Sequence, residues 1–192
     1  IPMKPFRLII LIVVASGFTL CTREETPFTL KKNDQGLELS EEGKPVFFYQ
    51  KKPKSSEGKY VCNNYIHPLY ALNGDTLTEA FPKDHPYHRG IFWAWHQLYI
   101  DSTSIGDSWI MKDVTHEVKQ VHVHTNDNNA TLNLHVRWKS TKLENNQGFM
   151  DENTRIIVHR SKGGIRKIDF EIALRALVPA LNIGGADNAK GY

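Results

Sequence analysis

Apolar residues recur at every second position through most of the second half of the chain. Residues 131–139 are the clearest case. Leu132, Leu134, Val136 and Trp138 fall on one side, and Asn133, His135, Arg137 and Lys139 on the other, which is the period of a half-buried strand. Residues 154–160 carry Ile156 and Val158 on one face. Residues 165–176 set Ile168, Phe170, Ile172 and Leu174 inward against Asp169, Glu171 and Arg175. In residues 114–124 the phase changes. Val114, His116 and Val118 share one phase, Val121 and Val123 the other, and this predicts a β-bulge near Lys119 and Gln120. His122 and His124 are thereby left outward. The polar runs 126–129 and 162–164 are expected as hairpin turns.

The first half alternates less cleanly. Residues 28–32 read as a strand, 33–36 as a turn, and 37–39 with 45–49 as a hairpin. Residues 51–59 (KKPKSSEGK) read as a solvated loop, and 60–72 as extended chain interrupted by Pro68. Residues 91–100 (IFWAWHQLYI) predict an aromatic-rich strand. Ile91, Trp93 and Trp95 take one face and Phe92, Ala94 and His96 the other, as for a central strand covered on both sides. Residues 101–107 read as a loop. Helical period is absent after residue 20, so the fold class is all-β and antiparallel. Long strands with one apolar face must stack as two sheets, which predicts a β-sandwich meander.

Residues 1–20 differ in kind. Lys4 and Arg7 precede an apolar run at 8–15, too short to span a bilayer comfortably, and Ser16 and Gly17 follow. The pattern is that of a signal peptide, and Cys21 after it resembles the lipidated cysteine of bacterial lipoproteins. The position before that cysteine is normally small and here is Leu20. A cleaved secretory signal and a buried N-terminal helix are the alternatives. On the lipoprotein reading, 21–27 is a polar tether, 28–192 the sandwich domain, and the protein is exported to the periplasm, outer membrane or cell surface. Its membrane contact is then the lipid anchor alone. Cys62 is the one other cysteine. It has no partner for an internal disulfide, and a small buried apolar role is expected. The net charge of +3 is mild and its signs are interspersed, which argues against nucleic acid as a partner. The glycine-rich run 182–192 (NIGGADNAKGY) carries no closing element, so the domain is expected to be a piece of a longer fold.

Chemistry concentrates in residues 65–96 (YIHPLYALNGDTLTEAFPKDHPYHRGIFWAWH), with four of the nine histidines and two of the four tryptophans. Pro82 and Pro86 disfavour helix, so DHPYHRG is expected as an ordered loop displaying Asp84, His85, His88 and Arg89. Imidazoles pass protons near neutrality. Arg89 can offer a forked set of donors, and Trp93 and Trp95 can offer faces for sugar rings. The candidates are His85, His88 and Arg89 for catalysis, with Asp84, His67, Trp93, Trp95 and His96 for a carbohydrate or other small polar ligand. A second reading has His67, His85, His88 and His96 bind a metal with Asp84 or Glu79. Pro86 separates the closest pair and no HExxH spacing exists, so no metal or other cofactor is assigned. A third has the histidines bond loop carbonyls and the tryptophans pack in the core.

The same stretch resembles the signature of a bacterial family of secreted proteins labelled methane oxygenase-like (PmoA-like), a domain of unknown function. The resemblance runs over about residues 28–192 and includes the terminal NIGGADNAKGY. Particulate methane oxygenase subunits are polytopic membrane proteins, and this chain has no spanning stretch after residue 20. A fainter likeness is to galactose-mutarotase-like sandwiches, where a His-Arg-Gly element precedes an aromatic strand. That likeness implies a sugar epimerase or mutarotase, with His88 as acid, Arg89 as hydroxyl anchor, and a second proton carrier beyond Tyr192. A non-catalytic cell-envelope interaction module is the alternative from a different class.

Overall fold

The computed structural model describes residues 26–186. The segment expected to be a signal peptide, Cys21 and the end of the glycine-rich run lie outside them. The described residues form thirteen strands and a single 3-10 turn at Glu144–Asn146. The architecture is the expected antiparallel β-sandwich. One sheet has the order β1 (Phe28–Lys32), β2 (Gly36–Glu41), β3 (Lys44–Gln50) and β6 (Tyr65–Leu69). The other is a meander of β9 (Val114–Thr125), β10 (Asn129–Ser140), β11 (Gly148–His159) and β12 (Ile168–Ala176). One core joins them, with Leu39, Phe47 and Tyr49 from the first sheet and Leu132, Val136, Trp138 and Ile156 from the second. Among the described residues no helix is long and apolar enough to cross a membrane.

The alternation of β10 is realised: Leu132, Leu134, Val136 and Trp138 are all buried. The bulge is also present. His135 pairs with Gln120 and Val136 with Val118, so Lys119 is left unpaired, and His122 and His124 are exposed. The turn at 126–129 closes because Asn126 Oδ1 accepts the N–H groups of Asn128 and Asn129 at 2.8 and 2.9 Å. Glu42 and Gly43, both at positive φ, form the two-residue loop joining β2 to β3. Cys62 is buried as expected, and burial pushes its thiol up to about 11.

Six local expectations need correction. Residues 91–96 are not a strand; β7 is only Gln97–Ile100, central in a small sheet between β13 (Leu181–Gly184) and β8 (Thr103–Gly106). The loops expected at 51–59 and 101–107 contain strands. β4 (Lys54–Ser56) pairs with β5 (Lys59–Cys62), and β8 pairs with β7. The run 182–192 begins as β13, which supplies an edge that its glycines concealed. β12 starts at Ile168, and its inward row is only half covered: Ile172 is 41% exposed. Finally, β11 begins at Gly148, earlier than residue 154.

The acids Asp151 and Glu152 explain the last miss. Both precede the residues that alternate, yet both are buried, because partners on neighbouring elements hold them. Arg137 and Arg175 donate to Asp151, and His135 stands 3.3 Å from it. The Arg137 hydrogen bond chiefly draws the Asp151 carboxyl down to about 2. A second tie crosses between the sheets. Glu41 accepts from Arg166 at 3.1 Å and from the N–H and hydroxyl of Ser161, closing β2 against the β11–β12 connection.

Candidate functional site

The site grows from a short irregular ladder beside β6. Leu77 N donates to Leu69 O at 2.8 Å, while Leu69 N donates to Thr78 Oγ1 at 3.0 Å. Residues 79–81 then run antiparallel to 88–90: Gly90 N donates to Glu79 O at 2.8 Å and Phe81 N to His88 O at 2.7 Å. Ile91 exchanges both backbone hydrogen bonds with Ile66, each 3.0 Å. Gly90 is required in this ribbon. Its φ is +74°, and a Cβ there would stand 2.1 Å from Ile66 O. Between the two arms, His85 N donates to Pro82 O and His88 N to His85 O, so the loop is ordered by two successive turns.

Alternation along the ribbon gives neighbouring residues opposite directions. Arg89 turns inward and is 1% exposed. Its Nη1 donates to Tyr87 O at 3.1 Å and Trp109 O at 3.0 Å, and Nη2 donates to Ser108 O at 3.1 Å. Its guanidinium carbon lies 3.9 Å from the Phe92 ring centroid. Burial lowers its pKa to about 10. The expected hydroxyl anchor is therefore not available. Every one of those donors is spent on loop carbonyls, and Arg89 serves as the clamp that joins the DHPYHRG loop to residues 108–109.

His88 turns outward. It stacks on His85 with ring centroids 5.0 Å apart and planes 12° from parallel, and meets Trp109 edge-on at 5.8 Å. Burial, then the charge of His85, lowers its pKa. His88 lines a cleft of about 430 Å³ together with Leu77, Thr78, Glu79, Phe92 and Trp109. Glu79 sits opposite side-chain-free Gly90 on the ladder, and Glu79 and His88 are both among the residues lining the opening. Phe92 and Trp109 form its wall, in edge contact at 5.6 Å.

The other candidates separate from this cleft. Asp84 and His85 pair at 3.0 Å on the exposed tip. His67 Nδ1 is engaged by Thr78 Oγ1 at 3.0 Å, behind the cleft wall. His96 stacks on Trp109 at 5.3 Å, with Nδ1 bonded to Asp107 Oδ2 at 2.9 Å. Trp93 and Trp95 are not ligand faces: both pack against the core, and Trp95 lies 6.0 Å from Trp138. Side-chain hydroxyl chemistry replaces the strand expected here, since Ser108 Oγ accepts from Trp95 N and donates to Trp95 O. The four histidines of the metal reading do not converge, and the described residues hold no cluster of three or more His, Cys, Asp or Glu placed to share an ion.

Sequence reasoning missed Trp109, Thr78 and Asp107. It read Phe92 only as a strand face and Glu79 only as a metal carboxylate. The usable signal was Asp107-Ser108-Trp109. Asp107 Oδ1 accepts the N–H groups of Trp109 and Ile110 at 2.8 and 3.2 Å, an Asx turn that presents an indole from a loop.

Beneath the clamp, His116 of β9 is buried with neither ring nitrogen partnered, 4.2 Å from the Trp138 ring. Burial lowers its pKa to about 3. Folded His116 stays neutral where unfolded His116, with its ordinary value near 6.5, takes a proton. Stability is therefore lost as pH falls below 6.5, at roughly 1.4 kcal/mol per pH unit. Urea denaturation at pH 7 and pH 5 is expected to differ by about 2 kcal/mol from this group. His116→Phe, which cannot titrate, should flatten that difference; an unchanged pH slope in the variant would show the proton goes elsewhere.

A family model described as a family of unknown function (DUF6807) matches residues 36–191. No curated protein and no solved structure matches the chain.

Proposed function

The chain belongs to this family of unknown function (DUF6807), whose description assigns no chemistry, so the site itself must carry the reading: we propose that the protein binds a carbohydrate in the His88 cleft. The observation that supports this is the pairing of His88 and Glu79 with an aromatic wall of Phe92 and Trp109 around one opening. A sugar ring has apolar C–H faces and a polar rim. The wall suits the first, and the polar side chains of His88 and Glu79 suit the second. An imidazole at a cleft is also equipment for proton transfer near neutrality. A carbohydrate-active role at this cleft, of the sugar-epimerase kind the loop resembles, belongs to the same proposal. So does an envelope location through acylated Cys21, which the N-terminal pattern supports.

Calorimetry against a panel of mono- and oligosaccharides tests it. At least one should bind, and His88→Ala should weaken binding tenfold or more while the melting temperature stays within a few degrees of wild type. Absence of any sugar binding would refute the reading. Recovery of one protein partner from envelope extract, with no sugar bound, would favour the interaction module.

A further inference from the structure

Leu77 is 61% exposed although it is a large apolar side chain, and it lines two concavities at once. One is the His88 cleft. The other, of about 440 Å³, lies on the far side of the ridge made by residues 76–78 and is lined by Leu69, Tyr70, Leu72, Leu77 and Ile168. Leu77 is held on this ridge from both neighbours. Thr76 bridges to Tyr70, and Thr78 Oγ1 is fixed between Leu69 N and His67 Nδ1.

Polarity changes across that ridge. Glu79, His88 and Thr78 lie on one side. On the other the one charged lining group, Arg166, has its side chain only 7% exposed and is committed to Glu41 at 3.1 Å and to Tyr70 O at 3.3 Å. The second groove thus offers aliphatic surface with its charge already neutralised. A free monosaccharide would fill the first cleft and leave the groove face of Leu77 in water. A ligand with an apolar extension would cover that face and gain affinity with each methylene removed from water.

We propose that the ligand is a glycoside whose sugar ring occupies the His88 cleft and whose apolar aglycone crosses Leu77 into the groove of Leu69, Leu72 and Ile168. This rests on the carbohydrate reading and narrows its ligand class. Leu77 is then a specificity residue shared by the two concavities, and Leu72 selects for the substituent alone.

The test titrates the protein with paired methyl and octyl β-glycosides of glucose, galactose, mannose and xylose, the octyl compounds held below micelle-forming concentration. For the sugar that binds, the octyl member should bind at least tenfold more tightly than the methyl. Leu72→Asn, on the groove side alone, should abolish most of that gain and leave methyl affinity within twofold. Leu77→Asn, at the ridge shared with the cleft, should lower octyl affinity more than methyl affinity. Equal affinity for both members, or an octyl gain untouched by both variants, overturns the proposal while the carbohydrate reading stands. A Leu77-dependent octyl gain shown equally by 1-octanol, with no methyl glycoside bound, overturns the carbohydrate reading and with it the glycoside. A Leu77-dependent dimer by sedimentation would assign the groove to a second copy of the chain and also overturn it.

Discussion

Arg89→Ala is expected to cost on the order of 4 kcal/mol in urea denaturation and to abolish ligand binding at the His88 cleft together with it. Three loop carbonyls lose their donor at once, on Tyr87, Ser108 and Trp109. Hydrogen bonds to a charged donor contribute about 1.5–3 kcal/mol each, and buried carbonyls left unpaired add their own cost. Phe92 also loses the cation over its face. Arg89→Lys should recover little, because one ammonium on a flexible stem cannot reproduce the planar fork. The two effects are coupled because the clamp holds both walls of the cleft, the His88 loop and Trp109. A variant that kept stability near wild type would show that the loop stands without its clamp.

Glu152→Ala is expected to be comparably damaging, about 4 kcal/mol, with Glu152→Gln about half as costly. Glu152 is fully buried and accepts from Trp138 Nε1 at 2.8 Å, Thr154 Oγ1 at 2.8 Å and Asn64 Nδ2 at 3.0 Å. Tyr49 continues the chain by donating to Asn64 Oδ1 at 2.9 Å, and its pKa is raised well above the ordinary value by burial and then by the charge of Glu152. The network joins β3 to β10 and β11, so it ties one sheet to the other through polar groups inside an apolar core. Glutamine keeps an acceptor but turns its own N–H₂ toward the donors. Equilibrium unfolding of the two variants gives the order; a Gln variant worse than Ala would contradict it.

These two residues also show how far the sequence could be read. Period-two alternation exposed β10 and the bulge of β9, because each side chain there answers only to one buried face. Glu152 and Asp151 broke that rule. Their burial depends on partners on other strands and, for Glu152, on Asn64 far along the chain, and alternation cannot see such partners. The apolar run 91–96 failed in the opposite sense. Its aromatic pattern suits a strand, but Ser108 takes over the backbone pairing of Trp95. The HRG element pointed to a loop whose His88 lies at the cleft. The role given to Arg89 failed because alternation along the ladder turns it away from His88. Trp109 was invisible to motif reading, since it reaches the cleft from a separate loop held by Asp107.

That same alternation separates two kinds of evolutionary pressure. Ala80, Arg89 and Gly90 hold the frame by bridge, clamp and close backbone approach. Glu79 and His88, interleaved with them, line the opening. Ligand preference can therefore drift through the second set while the first stays fixed. Selection for binding and selection for folding thus act on interleaved letters of one short loop, and the cleft is a place where a lineage, or a library, can change what it recognises without paying in stability.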